Sequence, residues 1–288
     1  MPEPTLIEEA FHLAFAPMTV EGALRLREGT AWRHFPSPAP DRYRGLCDVA
    51  ALDAHLSAGA RTPPVTMADS ARAGSAAVPP EEFAHADGRI DPHRLFRRFD
   101  AGATLVVSQF HEVHPPLARL CRGLERLFLH AVQANVYLTP AGAQGFETHF
   151  DTHDVLVLQV QGEKRWRLYP SQPLSLPTRR MPWDSTLYAA EGSAAEVVLR
   201  PGDALYVPRG TLHDAAAQPA GDPSLHITIG LLEPCWADIL HDAIDLLETE
   251  SPLLRGSLCS WRLGGPSGAG TPFDPAACVA PLNDPGLM

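Results

Sequence analysis

The segment from residue 135 to residue 169, NVYLTPAGAQGFETHFDTHDVLVLQVQGEKRWRLY, carries the strongest signal for the fold. It contains His149 and Asp151, which are separated by one residue and followed by an apolar run. Side chains two positions apart on a β-strand point to the same face. We therefore expect this imidazole and this carboxylate to converge on the inner surface of a β-structure.

Short strand-like runs lie on both sides of this pair and are separated by turns rich in Gly, Pro and Asp. The runs are 103–108, 135–139, 155–160, 165–169, 196–199, 204–207 and 225–231. Short strands at this spacing are typical of an antiparallel barrel or jelly roll. We predict a mainly β fold with flanking helices, in which residues 101–233 form the barrel.

Residues 1–100 are predicted to form a helical brace, because apolar residues recur every three or four positions. This pattern covers residues 5–15, 20–27 and 47–57. The Pro- and Ala-rich stretch 61–88 is predicted to be a flexible loop, which is either a lid or inert. Two further helices are predicted at 115–133 and 236–248, and the second opens a C-terminal region, 234–288, with a Gly- and Pro-rich tail.

The composition argues against several classes of partner. The chain has 34 acidic and 23 basic residues and a net charge of -11, so a nucleic-acid partner is not expected and a cationic partner is better matched. No apolar run is long enough to span a membrane. The N-terminus lacks the basic residues of a secretory signal, and the five cysteines form no CxxC pair. These features predict a cytoplasmic protein, and a homodimer is left open.

His213 is the best candidate for a third ligand beside His149 and Asp151. It ends the segment GDALYVPRGTLH, residues 202–213, which has the order turn, strand, turn and strand. Two His and one carboxylate leave three coordination positions of Fe(II) open for small molecules. His153 has the same parity as His149 and is an alternative ligand. A solvated pair at a strand end is the alternative interpretation of His149 and Asp151.

With these motifs in place, the chain from about Gln109 to Leu247 resembles the JmjC/cupin-like ribosomal oxygenases, which are protein hydroxylases. The resemblance implies a double-stranded β-helix, that is, a cupin/JmjC jelly roll. It also implies Fe(II), 2-oxoglutarate and O2, and hydroxylation of a peptide or protein substrate at a β-carbon. Short relatives hydroxylate histidine in ribosomally made peptide natural products, and the compact chain favours such a substrate. The alternative is a non-oxidative metal-binding cupin, either a ligand-binding protein or a Zn/Mn isomerase.

The resemblance also assigns a co-substrate site. It implies that 2-oxoglutarate is bound by Lys164, Asn135, Tyr137 and Thr228, with Lys164 on the distal carboxylate. The residues themselves agree, since Lys164, Trp166 and Leu168 share a strand face, and an ammonium among apolar neighbours needs an anion. A lysine that extends along the surface into solvent is the alternative.

The stretch Gln109 to Glu112 resembles a Gln-Phe-His-Gln sequence that lines the peptide pocket of the same family. The resemblance implies that Gln109 and Glu112 contact the substrate. Glu112 places a carboxylate where the family commonly has an amide, which favours a cationic side chain in the substrate. The alternative is that Glu112 is solvated at the rim of the pocket.

Overall fold

Two antiparallel β-sheets lie in the first of the two units into which the chain divides, Met1–Glu233. The computed structural model describes residues 5–58, 64–72, 76–252 and 254–255. The strands are β1 (Arg33–Phe35), β2 (Val65–Ala68), β3 (Thr104–Val107), β4 (Ala131–Thr139), β5 (Asp154–Gln161), β6 (Lys164–Leu168), β7 (Ala195–Leu199), β8 (Ala204–Val207), β9 (His213–Ala217) and β10 (Ser224–Leu232). The larger sheet has the order β1-β8-β5-β10-β4-β3-β2, and the smaller sheet has the order β7-β6-β9.

Strand β5 shows how the sheets share the core. Its sequence, DVLVLQVQ, is buried along nearly its whole length, as expected of a strand covered on both faces. Leu156 and Leu158 enter a large core on the helical side of the larger sheet. Val155 and Val157 enter a smaller core that also contains Trp166 of the smaller sheet. The strand therefore separates two apolar layers, and the mainly β jelly-roll architecture expected from the sequence is confirmed.

The helices of this unit pack on the larger core. They are α1 (Leu6–Phe15), α2 (Val20–Arg27), α3 (Val49–Ser57), α4 (Pro92–Asp100) and α5 (Pro115–Phe128). Helix α1 starts at a capping box, in which Thr5 and Glu8 satisfy each other's backbone N–H groups. Helices α1 and α5 cross at Gly123, where an added Cβ would collide with Ala10. The close approach of these two helices therefore requires a residue without a side chain.

The N-terminal region differs from the sequence prediction. Residues 61–88, predicted as a loop, include strand β2 and a 3-10 turn at Pro80–Glu82, while residues 61–63 and 73–75 lie outside the described residues. Strands β1 and β2 join the two edges of the larger sheet, so the region is not a purely helical brace. Helix α4 was also missed, although Asp91 followed by Pro92 is a typical helix start.

Helix α5 is shorter than predicted because the backbone reverses at Leu129. This residue adopts a left-handed conformation with φ 59°. The helix therefore ends at Phe128, five residues before its predicted end at Gln133. Strand β4 then begins at Ala131 rather than at Asn135. The apolar residues of 129–133 fit both a helix and a strand, so their pattern alone could not place the boundary.

The second unit, Pro234–Met288, contains helix α6 (Trp236–Glu250). Its N-terminus is capped by Cys235 and Asp238. The helix was predicted at 236–248, and the predicted Gly- and Pro-rich tail from residue 256 onward lies outside the described residues. Among the helices that the structure describes, none is both long and apolar enough to cross a membrane.

Candidate metal centre

The three residues predicted as metal ligands meet in one cluster. One ligand atom from each of His149, Asp151 and His213 lies within 4.8 Å of the other two. The His213 Nε2 and Asp151 Oδ2 atoms are 3.7 Å apart, and the two histidine ring centroids are 4.6 Å apart. One ion with ligand bonds of about 2.1 Å fits among donors at these spacings.

Hydrogen bonds behind the rings fix which nitrogen faces the ion. His149 Nδ1 lies 2.8 Å from the Glu147 carbonyl oxygen, and His213 Nδ1 lies 2.9 Å from the Thr211 carbonyl oxygen. A carbonyl oxygen only accepts, so each Nδ1 carries the proton and each Nε2 lone pair is free to bind metal. Burial, and then the neighbouring His149 ring, lower the pKa of His213, which keeps this ligand neutral.

His149 and Asp151, the HxD pair, lie on an irregular edge segment and not on the regular strand that the sequence suggested. This stretch is called the HxD segment below. Residues 142–149 run antiparallel to β9, joined through the isolated bridges Gln144↔Ala216 and His149↔His213. His149 and His213 exchange both backbone hydrogen bonds, at 3.0 and 2.8 Å. The chain bends before β5 starts at Asp154. The parity argument still placed both side chains on one face, because the bend follows Asp151.

His153, the alternative ligand, points elsewhere. It is absent from the cluster of metal-binding groups found among the described residues. Its Nε2 lies 2.8 Å from where a Cβ on Gly230 would stand. The missing side chain at Gly230 therefore provides the space that His153 occupies, between β10 and the end of the HxD segment.

The cluster of three candidate metal ligands opens into a cavity of about 270 Å³. The cavity wall contains Lys164 and Trp166 from β6 and Thr228 from β10. Lys164 is 4% exposed, and burial lowers its pKa to about 7. Its Nζ donates to Thr139 Oγ1 at 3.0 Å, and no carboxylate pairs with it in the part of the chain that the structure describes. A buried ammonium without an ionic partner is costly, so this wall is suited to an anion.

The other predicted co-substrate residues lie close to this wall. Tyr137 and Thr228 line the cavity, and Asn135 is directly opposite Thr228 in the β4–β10 register. The Asn135 side chain is already engaged, because its Oδ1 accepts the Gln109 N–H at 2.8 Å. The structure thus brings Tyr137, Thr228 and Lys164 into one cavity and places Asn135 at its margin.

His226 is a cavity residue that the sequence analysis did not single out. It is 3% exposed, lines the cavity and stacks on Tyr137 with a centroid distance of 4.8 Å. Burial and then the charge of Lys164 lower its pKa well below the usual value, so the ring is neutral. Its two-residue separation from Thr228 on one strand was the signal that could have identified it.

The predicted substrate residues are placed differently. Gln109 and Glu112 are exposed, and the 3-10 turn that begins after Gln109 ends at Glu112. Gln109 has a left-handed backbone, with φ 54°. Neither residue belongs to the lining of the cavity. Gln109 is connected to the site through its backbone N–H, which donates to Asn135.

Comparison with known proteins agrees with this architecture. Residues 106–239 match the JmjC domain family. The chain is 36% identical over 177 residues to the bifunctional lysine-specific demethylase and histidyl-hydroxylase NO66 of Aedes aegypti, covering 59% of this chain and 28% of that protein. It is 38% identical over 167 residues to ribosomal oxygenase 2 of Bos taurus, covering 55% and 34%. The chain therefore spans about a third or less of these curated relatives.

Solved structures show a similar fold. The X-ray structure of E. coli ycfD aligns with a TM-score of 0.55 and 18% identity, covering 93% of this chain and 68% of that one. The structure of YcfD, a ribosomal oxygenase from Escherichia coli, in complex with cobalt and 2-oxoglutarate aligns with a TM-score of 0.51 and 17% identity, covering 89% and 64%.

The two sheets form a jelly roll, and the cluster of His149, Asp151 and His213 is a candidate metal site in its cavity. The stretch that matches the JmjC domain family, residues 106–239, contains all three residues of this cluster.

Proposed function

We propose that this protein is a dioxygenase that uses Fe(II) and 2-oxoglutarate to hydroxylate a peptide or protein side chain at its β-carbon. In this reaction 2-oxoglutarate, O2 and the substrate C–H give succinate, CO2 and the substrate C–OH. Two neutral imidazoles and one carboxylate are the ligand set of non-haem Fe(II) oxygenases, and they leave three positions for other ligands. The donors present in the cluster fit this ion.

The observation that carries the proposal is the buried Lys164 in the same cavity as the three ligands. In the β6–β9 register His213 is opposite Leu168, and Lys164 is four residues away, or about 13 Å of strand. An anion bound by the ammonium would therefore lie in the same cavity as the metal ligands but at some distance from them. A dicarboxylate can bind the metal with one carboxylate and the lysine with the other. A cupin that holds only a metal does not need such a lysine.

Each group of residues has a distinct part in the proposed reaction. His149, Asp151 and His213 would hold the iron, and Lys164 binds and orients the distal carboxylate. Trp166 and Phe146 line the cavity with apolar rings, which limits the access of water. With its co-substrates bound, the iron supplies the oxidising chemistry that breaks the substrate C–H bond. The protein contributes position and exclusion of solvent.

The substrate class is part of the proposal. The curated relatives include a protein named histidyl-hydroxylase, and this name supports histidine as the modified residue. We place this histidine in a ribosomally made peptide and assign Glu112 the selection of a cationic group. The exposed position of Glu112 leaves it accessible to a peptide. Free Cys47, Cys121 and Cys235 support a reducing compartment, such as the cytoplasm.

The test is to incubate the protein with Fe(II), 2-oxoglutarate and histidine-containing peptides under dioxygen labelled with heavy oxygen. We expect succinate and hydroxylated peptide in equal amounts, each containing one labelled oxygen atom. Mass spectrometry measures both products. A protein that changes a substrate without forming succinate, and does so with Zn or Mn, would be the non-oxidative cupin instead.

The affinity for 2-oxoglutarate should depend on pH through Lys164. The free protein holds the pKa of this lysine near 7, whereas a bound carboxylate requires the protonated ammonium. Above pH 7 binding must therefore take up a proton, and below pH 7 the proton is already present. We expect the Kd to rise by up to about tenfold per pH unit between pH 7 and 9.

Lys164→Arg is the matched control, because a guanidinium stays protonated over this range. Calorimetric titration of the cobalt-loaded proteins with 2-oxoglutarate at several pH values gives both profiles. A parent profile as flat as that of the arginine variant would contradict the prediction.

A further inference from the structure

Asp214 lies directly behind the two histidine ligands. It follows His213 on β9, so its side chain points to the opposite face of the strand, away from the metal cluster. It is 2% exposed. Three side chains donate to its carboxylate: Thr148 Oγ1 at 2.8 Å, Arg167 Nε at 2.7 Å and Tyr169 Oη at 3.1 Å. A buried carboxylate with three donors is fully engaged in one arrangement.

These contacts join the backbone segments that carry the ligands. Thr148 immediately precedes His149, and Asp214 immediately follows His213, so one hydrogen bond connects the neighbours of both ligands. Arg167 is opposite Asp214 in the β6–β9 register. Tyr169 continues the chain beyond β6, where its N–H donates to the Leu212 carbonyl at 2.9 Å. The carboxylate on β9 is therefore the shared acceptor of donors from the HxD segment, from β6 and from the residue that follows β6.

The HxD segment needs such a contact because little regular structure holds it. It is joined to β9 through isolated bridges, one of which is His149↔His213. A shift of this edge would move His149 relative to His213 and change the separation of their Nε2 atoms. The Thr148–Asp214 hydrogen bond restrains that shift from the side opposite the metal.

We propose that Asp214 is a positioning residue that sets the spacing of His149 and His213 and thereby the affinity for the metal. The inference rests on the proposed metal site. Partners that orient metal ligands typically contribute ten- to a hundredfold in metal affinity. Asp214→Ala should therefore weaken Co(II) or Fe(II) binding by about this factor, and Asp214→Asn by less, because its amide oxygen still accepts from Thr148.

Asp203→Asn is the matched control. Asp203 is also buried, at 5% exposure, and accepts the N–H groups of Ser37 at 2.8 Å and Arg200 at 3.1 Å. It borders no metal ligand in sequence, so its loss should lower the thermal stability without changing metal affinity. Equal weakening of Co(II) binding by Asp203→Asn and Asp214→Asn would assign the effect to general destabilisation and overturn the proposal.

The measurement is anaerobic titration with Co(II), followed by visible absorption, together with the melting temperature of each protein without metal. We expect Asp214→Ala to change the Co(II) spectrum as well as the affinity, since the ligand geometry is altered. Thr148→Val replaces the hydroxyl with a methyl group of similar size and covers the case in which Asp214→Ala does not fold. It should weaken Co(II) binding several-fold, in keeping with one hydrogen bond of roughly 1 kcal/mol.

The outcomes separate this inference from the proposed function. A parent protein that binds no Co(II) would contradict the metal site itself. A parent that binds Co(II), with folded Asp214→Ala and Thr148→Val variants of the same affinity and spectrum, would overturn the positioning role alone.

Discussion

Each of the three variants His149→Ala, Asp151→Ala and His213→Ala should abolish turnover, because the two remaining donors cannot hold the iron that three donors hold. The three ligand atoms lie within 4.8 Å of one another, so removal of any one opens the ion to exchange with solvent. Anaerobic Fe(II) binding, measured by calorimetry, and succinate formation should both be lost. We expect the His149 and Asp151 variants to remain folded, since both side chains are partly exposed.

His153→Ala is the matched control for these substitutions. His153 lies two residues after Asp151 and offers the same imidazole, but its Nε2 faces Gly230. We expect this variant to bind Fe(II) like the parent. If instead His153→Ala loses the metal and His213→Ala retains it, the ligand assignment is wrong.

Lys164→Ala should raise the 2-oxoglutarate concentration required for turnover by about ten- to a hundredfold, which corresponds to roughly 1.5–3 kcal/mol for a charged hydrogen bond. The substitution removes the buried cation of the cavity and leaves the metal cluster unchanged. Titration of the cobalt-loaded protein with 2-oxoglutarate measures the Kd directly. The Co(II) affinity in the absence of co-substrate should stay at the parent value.

Thr139→Val provides the comparison at the hydrogen-bond partner of this lysine. Thr139 Oγ1 accepts from Lys164 Nζ, so its loss frees the ammonium without removing the charge. We expect a several-fold change at most, in keeping with a neutral partner. An effect of Thr139→Val as large as that of Lys164→Ala would show that the position of the lysine matters more than its charge. An unchanged Kd in Lys164→Ala would remove the lysine from the co-substrate site.

The sequence was informative where chemistry and strand parity coincide. His149, Asp151 and His213 were identifiable because the spacing of the first two puts them on one face and the turn pattern before the third supplies a second strand. Lys164 was implied by the family resemblance, and its place among apolar neighbours on one strand face agrees with that assignment. These signals are local, and each depends on only a few residues.

Features that depend on long-range pairing could not be found in the same way. Strand β2 pairs with β3, which lies more than thirty residues later in the sequence. The composition of residues 61–88 does not indicate this pairing. The Asp214 cluster joins residues 148, 167 and 169 through the sheet register, which no short pattern reveals. His226 was not singled out, although it lies two residues before Thr228 on the same strand.

The pairing of β1 and β2 with the outer strands makes the N-terminal region part of the barrel's architecture. β1 pairs with β8 and β2 pairs with β3, so the two edges of the sheet are short strands of three and four residues. Short edge strands limit the pairing with other chains that leads to aggregation. The segment that matches the JmjC family therefore pairs with strands outside residues 106–239, and a transplant of its chemistry into another scaffold has to carry these two short strands with it.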